Sequence, residues 1–453
     1  MSAAEPSPPT RLPHVLMVVT VLIVAANLRP AITVVGPLIE RIGEDTGLGP
    51  AALGLLGAIP ALGFGVVALF VAALGRRWGL ERTIFVSLLL LGVGTALRSL
   101  PLGGFSLFAG TVILSAAIGV GNVLVPAVVK RDFPARVPVM TGLYTAVLVG
   151  CAAIASGSAV PVAAATGWEF TLGVSAIFAL ISAALWGVRL GTPRRRGASS
   201  RPAAGAASRP ELGSTDAPEH HDASPAAPDA EAARATPEST ESLDPAPRDD
   251  VGSLPEAPAP GTPGRSMWRS AVAWQVTAYF ALQSGIFYLM LTWFPAIQTS
   301  HGVIDAAAGF WLGAYQAIGI LASLVTGPIM QRAADQRAVI VALAGIMFFG
   351  VLGIILLPAA MPVWALVVGF ASGGNLLAGL TLISMRARTA GEAGRLSGMA
   401  QGVGYLLAAV GPLLAGSLFE LSGSWSLVLW IIAGAVVVMA LVGLLAGRRV
   451  DVL

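Results

Sequence analysis

Arg29 is the residue of this sequence whose position most strongly suggests chemistry. Counting from residue 14, it stands 15 residues into an apolar stretch, and at about 1.5 Å per residue this is roughly 20 Å of helix. A charged side chain at that depth of a membrane costs at least about 2.5–3.5 kcal/mol, so it must face the protein interior or water. A guanidinium can bind a planar anion through two parallel hydrogen bonds, which predicts an anion-binding residue in a central cavity. The alternative is a structural arginine that binds carbonyl groups of neighbouring helices or lies nearer the outer interface.

Uncharged polar residues also occur within apolar stretches. They are Asn122, Tyr144, Gln275, Tyr279, Gln283, Tyr288, Tyr315, Gln316, Asn375, Gln401 and Tyr405. Tyr279 and Gln283 follow i, i+4 spacing and share a helix face. The alternative role is hydrogen bonding between helices, which is worth only about 0.6 kcal/mol on average in membranes. The predicted substrate-binding set is Arg29, Asn27, Asn122, Tyr144, Tyr279, Gln283, Asn375, Gln401 and Tyr405.

Other chemistry has little support in the sequence. Every Asp and Glu lies in a loop, in the central linker or near the end of a predicted helix, which argues against a built-in carboxylate proton relay. Glu40 and Glu169 are the exceptions if their helices extend further than we predict. The single cysteine, Cys151, and four histidines exclude a disulfide framework and leave little for a metal centre. We therefore expect no enzyme activity, no cofactor, no metal site and no nucleic-acid partner.

The composition identifies the elements that must position these residues. Hydrophobic residues make up 55% of the 453 residues and charged residues only 11%, with a mean hydropathy of +0.79. Soluble proteins carry about 25% charged residues, so this is an all-α polytopic membrane protein, with the lipid bilayer as a partner. Runs of about 20 apolar residues can span a bilayer as helices. Twelve such stretches lie near residues 14–40, 51–74, 83–101, 105–129, 139–163, 170–190, 268–296, 304–330, 338–357, 362–385, 395–419 and 425–447.

The loop charges predict the orientation. Basic residues mark the cytoplasmic side of a membrane protein. They gather at one set of connections: Arg76, Arg77, Arg82, Lys130, Arg131, Arg136, Arg332, Arg337, Arg386, Arg388, Arg395, Arg448 and Arg449. The opposite connections hold only Arg41 and Arg98 as basic residues, together with the acids Glu40, Glu44, Asp45, Glu169, Asp305 and Glu420. Both termini are therefore predicted to be cytoplasmic, in a cell inner (cytoplasmic) membrane.

The chain divides into two six-helix parts. Residues 1–190 form the predicted N-terminal bundle and residues 268–453 the C-terminal bundle. Between them, residues 191–267 hold 13 of the 31 prolines and no aromatic residue, a composition typical of a disordered linker. Internal similarities link the two parts, such as Gly121-Asn122 with Gly374-Asn375. Such repeats are typical of secondary transporters, whose substrate site lies near the midplane between them.

Glycines in two predicted helices indicate where helices could pack closely. They are Gly142, Gly150 and Gly157 in the fifth stretch, and Gly404, Gly411 and Gly416 in the eleventh. Small residues let membrane helices approach one another. We therefore expect both helices to form close contacts that could slide as the two bundles move.

This arrangement resembles the major facilitator superfamily (MFS). The loop of residues 75–82 matches the superfamily signature in Arg77, Trp78 and Gly79, but departs from it at Arg76, where Asp is expected, and at Glu81. These departures weaken the case for the salt-bridge latch that the signature implies. More specifically, the chain is similar to the cyanate and 2-nitroimidazole transporter family. The strings that carry this similarity are NLRPAITVVGPL (27–38), GLERT (79–83), GNVLVPAVVKRDFP (121–134), MTGLYTA (140–146) and LSGMAQGVGYLLAAVGPLLAG (396–416).

The resemblance implies the MFS fold and transport of small solutes by alternating access. The expected substrate is a small molecule, either a cyanate-like anion or a small nitroheteroaromatic compound, with a coupled proton or counter-ion. A first alternative is efflux of a drug-like aromatic compound, favoured by Trp274, Phe287, Trp293 and Trp311 around the seventh stretch. A second is a membrane sensor or scaffold that acts through the linker.

Overall fold

The computed structural model describes residues 14–191 and 266–452, and all regular structure within these ranges is helical. In the N-terminal half (14–191) the α-helices are α1 (His14–Asn27), α2 (Pro30–Thr33), α3 (Ile39–Thr46), α4 (Pro50–Trp78), α5 (Leu80–Arg98), α6 (Gly104–Asp132), α7 (Val137–Thr166), α8 (Trp168–Gly173) and α9 (Ser175–Gly191). In the C-terminal half (266–452) they are α10 (Ala271–Ser300), α11 (Asp305–Arg332), α12 (Arg337–Leu356), α13 (Met361–Met385), α14 (Ala390–Ala408), α15 (Val410–Ser422) and α16 (Trp425–Ala446).

The twelve predicted membrane spans are confirmed. Twelve helical segments of the described residues are long and apolar enough to cross a bilayer, from Val15–Thr46 to Trp425–Ala446. Several extend further than the hydropathy indicates, because polar residues such as Arg131 continue the helix beyond the apolar core. Residues 192–265, which hold nearly all of the predicted linker, lie outside the described residues. The boundaries of the two bundles stay a prediction.

The first span is broken beside Arg29. Helix α1 ends at Asn27, and Pro30 begins the four-residue helix α2. Proline has no backbone N–H and cannot make the helical bond to the carbonyl four residues earlier. Arg29 itself adopts φ −124° and ψ −40°, outside helical geometry. The break therefore follows from Pro30 and puts Arg29 at an irregular point of the span.

The two halves pack tightly at one end of the bundle, which we call the acidic face because it carries Glu40, Asp305 and Glu420. A Cβ atom on Gly36 would lie only 2.2 Å from the carbonyl oxygen of Leu291, in the other half. Polar contacts reinforce this packing at its edge. The backbone N–H of Ala51 donates to Glu420 (2.9 Å), and the Thr299 hydroxyl donates to Glu40 (3.1 Å). These contacts hold the two halves together at the acidic face.

The glycines of the two predicted contact helices behave differently. Close contact is confirmed in the eleventh span, where a Cβ on Gly416 would lie 2.2 Å from the Pro50 carbonyl oxygen and one on Gly411 would lie 2.7 Å from that of Gly285. In the fifth span the prediction is wrong for Gly142 and Gly150, since a Cβ at either would meet nothing within 4 Å. These two glycines lie in the part of α7 nearer the opposite face, which we call the basic face because it carries Arg77, Arg131 and Arg332. There the helix borders open space instead of a neighbour.

A cluster of ion pairs lies at the basic face of the N-terminal half. Glu81 of α5 pairs with Arg131 of α6 and, at 3.1 Å, with Arg189 of α9, and Arg189 also pairs with Asp132. The guanidinium of Arg189 lies 4.6 Å from the ring centre of Trp186. Glu81, which departs from the superfamily signature, thus takes part in a salt-bridge cluster. That cluster joins three helices of the same half.

Candidate substrate-binding site

A cavity of about 250 Å³ lies between the two halves. Its walls come from α7 of the N-terminal half and from α10, α11 and α13 of the C-terminal half, with Arg29 at the break of the first span. The lining residues are Arg29, Thr141, Gly142, Thr145, Ala146, Val149, Ala152, Phe287, Tyr315, Gln316, Gly319, Ile320, Ser323, Leu324, Gly369, Ser372, Gly373 and Leu376. Most are small or apolar, so the few polar groups among them must set the chemistry of the site.

Arg29 supplies the positive charge of the cavity. Its guanidinium carbon lies 5.3 Å from the centre of the Phe287 ring, a cation–π contact between the two halves. Within the described residues, Arg29 forms no ion pair, and its buried Nε has no hydrogen-bond partner. A guanidinium over an aromatic ring keeps its N–H donors free at the ring edge. Arg29 can therefore bind an anionic or strongly polar group in the cavity.

Aromatic side chains surround this charge. The ring centres of Phe287 and Tyr288 are 5.3 Å apart, and Tyr405 lies 6.2 Å from Tyr288, all in edge-to-face geometry. Phe64 of the N-terminal half closes the cluster, 5.8 Å from Tyr405. Edge-to-face pairs are a favoured aromatic geometry. The cluster packs beside Arg29, is contributed by both halves, and reaches the cavity wall through Phe287.

Neutral hydrogen-bonding groups of α11 and α13 form a second polar region. The Tyr315 hydroxyl donates to Ser372 Oγ (2.9 Å), and the Gln316 amide Nε2 donates to Ser156 Oγ of α7 (2.8 Å). Ser323 lies further along α11 and donates to the Gly319 carbonyl (2.9 Å). Among the described residues, no group of three or more His, Cys, Asp and Glu could hold a metal ion. The site offers one cation, neutral hydrogen bonds and aromatic surface.

Several predicted site residues hold helices together and do not line the cavity. Asn27 donates to Ser182 Oγ (2.8 Å) and ties the end of α1 to α9. Tyr279, which is fully buried, donates to Asn375 Oδ1 (2.7 Å), and Asn375 donates in turn to the Ala371 carbonyl. These bonds match the alternative interpretation of such residues as interhelical contacts.

The remaining predicted residues are not among the residues that line the cavity. Gln283 accepts a bond from Ser284, and Gln401 donates to Ser397. Asn122 and Tyr144 are half-buried and are not among the lining residues, and Tyr405 belongs to the aromatic cluster near Arg29. Of the predicted set, Arg29 is the one that lines the cavity. A substrate-binding role for the others stays a prediction.

The sequence-based set also missed residues of the cavity wall. Tyr315 and Gln316 are among the polar residues of the spans but lie outside the predicted set, because no spacing rule or matching string distinguishes them. Thr141 and Thr145 follow i, i+4 spacing on α7, and their short side chains gave no signal in an apolar helix. Phe287 continues the i, i+4 series of α10, and this weak signal does lead to the cavity.

A second arginine of the interior was misplaced by the sequence. Arg98, which the charge pattern counts with the connections although it falls within the predicted stretch 83–101, is the last residue of α5 and is 1% exposed. It donates to the carbonyl oxygens of Ala31 (2.6 Å) and Leu172 (3.2 Å). The interior of the described protein thus contains more than one charge. The placement of Arg98 by its charge is wrong because hydropathy does not show that α5 ends inside the tightly packed region at the acidic face.

Comparison with known proteins identifies the class of protein. The sequence profile of the Major Facilitator Superfamily matches residues 21–409. The chain is 33% identical to the 2-nitroimidazole transporter of Escherichia coli (strain K12) over 440 residues, covering 97% of each chain. It is 25% identical to the cyanate transport protein CynX of the same strain over 413 residues, covering 90% of this chain and 91% of that one. The crystal structure of a D-xylose–proton symporter superposes with a TM-score of 0.66 at 12% identity, covering 97% of this chain and 98% of that one.

This chain belongs to the Major Facilitator Superfamily. It is a multi-pass membrane protein of the transporter class, and its relatives and fold indicate transport of a small solute. The resemblance stated from the sequence is confirmed at the level of the superfamily and its relatives. The two alternatives, drug efflux and a sensor acting through the linker, are not favoured by these comparisons.

Proposed function

We propose that this protein moves a small planar solute with an anionic or nitro group across the membrane by alternating access, with Arg29 as the main binding residue. The observation that carries this proposal is the contact of Arg29 with Phe287. It puts an unpaired guanidinium and an aromatic surface on the same wall of a cavity between the two halves. A planar solute can stack on the rings while its oxygen atoms accept from the guanidinium.

The size of the cavity favours a single-ring solute over a triatomic anion. Pockets for drug-sized ligands are about 300–1,000 Å³, and the cavity here, about 250 Å³, is smaller. One water molecule occupies about 30 Å³ in the liquid, so a triatomic anion would leave most of this space to water. A ring with one polar substituent uses both the charge and the aromatic wall. The names of the two bacterial relatives, a 2-nitroimidazole transporter and a cyanate transport protein, span both possibilities.

The geometry also supports an assignment of the two faces of the protein to the two sides of the membrane. The loop charges predict that the basic face is cytoplasmic, and the cavity lies toward that face, with tight packing closing the acidic face. We therefore propose that this is an inward-open state in the inner membrane with both termini in the cytoplasm. The two moving bodies are residues 1–190 and 268–453, joined by residues 191–267 as a tether. A proton or a counter-ion is the proposed coupling partner.

Transport by purified protein in liposomes tests the proposal. Uptake of radiolabelled 2-nitroimidazole, benzoate and cyanate would be compared between the parent and Arg29→Gln, which removes the charge but keeps a polar side chain. Arg395→Gln, at an exposed position of the basic face, is the matched control. We expect Arg29→Gln to lose uptake and Arg395→Gln to retain it. Equal uptake by Arg29→Gln would overturn the role of Arg29, and failure of all three solutes in the parent would overturn the substrate class.

A further inference from the structure

Gln316 is a cavity residue that also forms a hydrogen bond between the two halves. Its amide lines the cavity, and its Nε2 donates to Ser156 Oγ of α7 across the interface (2.8 Å). Ser156 is fully buried and donates its own hydroxyl proton to the Thr33 carbonyl, in the broken first span (3.1 Å). One chain of hydrogen bonds thus runs from the cavity through α7 to the span that carries Arg29.

This chain of hydrogen bonds lies beside a close contact between the two halves. A Cβ on Gly313 would be 2.6 Å from the Ala153 carbonyl oxygen, and one on Gly309 would be 3.0 Å from that of Ser156. Helices α7 and α11 are therefore in backbone contact just on the acidic side of Gln316. Opening of the acidic face must separate these surfaces and break the Gln316–Ser156 bond.

The cost of breaking that bond depends on what replaces it. If the halves separate while the cavity is empty, the Gln316 amide keeps only its long bond to the Leu312 carbonyl of its own helix (3.5 Å). A buried polar group that loses its better partner is unfavourable. Ser156 loses less, since its hydroxyl still donates to Thr33. A solute with a second acceptor atom can accept the hydrogen bond from Gln316 Nε2 in place of Ser156. The opened state is then favoured only when the cavity is occupied, because a ligand shifts an equilibrium through its differential binding to the two states.

We propose that Gln316 couples solute binding to opening of the acidic face, by exchanging its bond to Ser156 for a bond to an acceptor atom of the solute. This inference rests on the proposed function for the identity of the solute, but not for the existence of the Gln316–Ser156 latch. Arg29 binds one end of the solute, and Gln316 forms its hydrogen bond only with a solute that carries a second acceptor atom. A solute that reaches Arg29 alone binds without releasing the latch.

Distances across the acidic face would measure the latch directly. In a Cys151→Ser background, spin labels at Leu102→Cys and Leu421→Cys, both strongly exposed at that face, report the closed and open populations of full-length protein in nanodiscs. Without solute, we expect Ser156→Ala to raise the open-to-closed ratio about threefold to fifteenfold, the range for a hydrogen bond between membrane helices. Ser158→Ala is the matched control, because Ser158 lies on the same helix and bonds only within α7.

Addition of 2-nitroimidazole as the probe tests the coupling. We expect it to raise the open-to-closed ratio in the parent and to have no such effect in Gln316→Leu. Ser156→Ala should bind the probe at least as tightly as the parent, and Gln316→Leu more weakly, a difference that a merely structural role would not produce. Thermal unfolding of each variant identifies any that are misfolded, and Gln316→Ala then replaces Gln316→Leu.

Two outcomes would overturn the inference. A solute-free ratio in Ser156→Ala equal to that of the parent would show that the bond is no latch. A probe-induced opening that survives in Gln316→Leu would show that occupancy acts through another residue. If the parent does not bind 2-nitroimidazole, the proposed substrate is wrong, whereas the solute-free comparison still decides whether the latch exists.

Discussion

Two arginines lie near the break of the first span, and they differ in what surrounds them. Arg98 is fully buried in the tightly packed region at the acidic face, and its Nη1 and Nη2 donate to the backbone carbonyl groups of Ala31 and Leu172. Its Nε, like that of Arg29, has no partner among the described residues. Arg29 is half-buried, faces the cavity and lies over the ring of Phe287, and its side chain has no carbonyl partner in the described part of the chain. A charge whose donors are used by the backbone serves the fold. A charge whose donors remain free in a cavity is available to a ligand.

The comparison extends to the space beside each arginine. Near Arg98, Gly36 touches the backbone of the opposite half at Leu291. Near Arg29, a Cβ on Gly142 would meet nothing within 4 Å. Close packing leaves no room for a solute around Arg98, whereas the cavity can admit one at Arg29.

The largest effect is expected for Arg98→Ala, on stability. The change leaves two buried carbonyl groups without their donor and opens a cavity in a packed region, at a cost of about 3–5 kcal/mol. We expect poor yield of folded protein and a strongly lowered thermal unfolding temperature in detergent. Arg29→Ala is the matched control and should unfold close to the parent, since a cation–π contact that is not fully desolvated contributes only about 0.5–1 kcal/mol. Equal unfolding temperatures for the two variants would contradict the assignment of Arg98 to the fold and of Arg29 to ligand binding.

The second effect concerns transport by Arg29→Ala. Charge-assisted hydrogen bonds contribute about 1.5–3 kcal/mol, so kcat/KM for the transported solute should fall about 10-fold to 150-fold in liposomes. Arg29→Lys should recover part of this loss, because it restores the charge but not the planar pair of donors. Full activity in Arg29→Ala at normal protein levels would assign Arg29 to structure and favour the alternative interpretation of the sequence.

The third effect compares a glycine of the closely packed acidic face with a glycine that borders the cavity. Gly36→Ala puts a methyl group against the Leu291 carbonyl and should destabilise the closed acidic face by about 2 kcal/mol, a shift of about 30-fold toward the open state. Gly142→Ala borders the cavity and should leave the equilibrium near that of the parent. Labels at Leu102→Cys and Leu421→Cys measure both. A larger shift for Gly142→Ala than for Gly36→Ala would contradict the assignment of the packed and open sides.

The smallest effect is expected for Phe287→Leu. The substitution keeps an apolar side chain but removes the ring below Arg29, a loss of about 1 kcal/mol. The KM for the transported solute should rise about fivefold. Phe349→Leu, at an exposed position of α12, is the control for loss of a phenylalanine and should leave KM unchanged. An unchanged KM in Phe287→Leu would show that the ring does not orient Arg29 or the solute.

Much of the fold could be predicted because the bilayer imposes it. A helix satisfies its own backbone hydrogen bonds in lipid, so apolar runs located the twelve spans, and Pro30 marks the break in the first one. The candidate site could be predicted only at Arg29, whose charge is costly anywhere but in a polar interior. Tyr279 and Gln316 are both polar residues within spans and have the same sequence signal. One binds Asn375 inside its own half, and the other lines the cavity.

The sequence by itself determined the class of chain, its spans and one residue that had to face a polar interior, because transfer of charge into lipid is costly enough to show in composition alone. Only the tertiary structure decided which arginine has free donors, which glycines touch a neighbour and which polar side chains reach the cavity. These properties depend on which helix lies opposite. For residues far apart in the chain, such as Gln316 and Ser156, that neighbour is set by the packing of the two halves and by no local pattern.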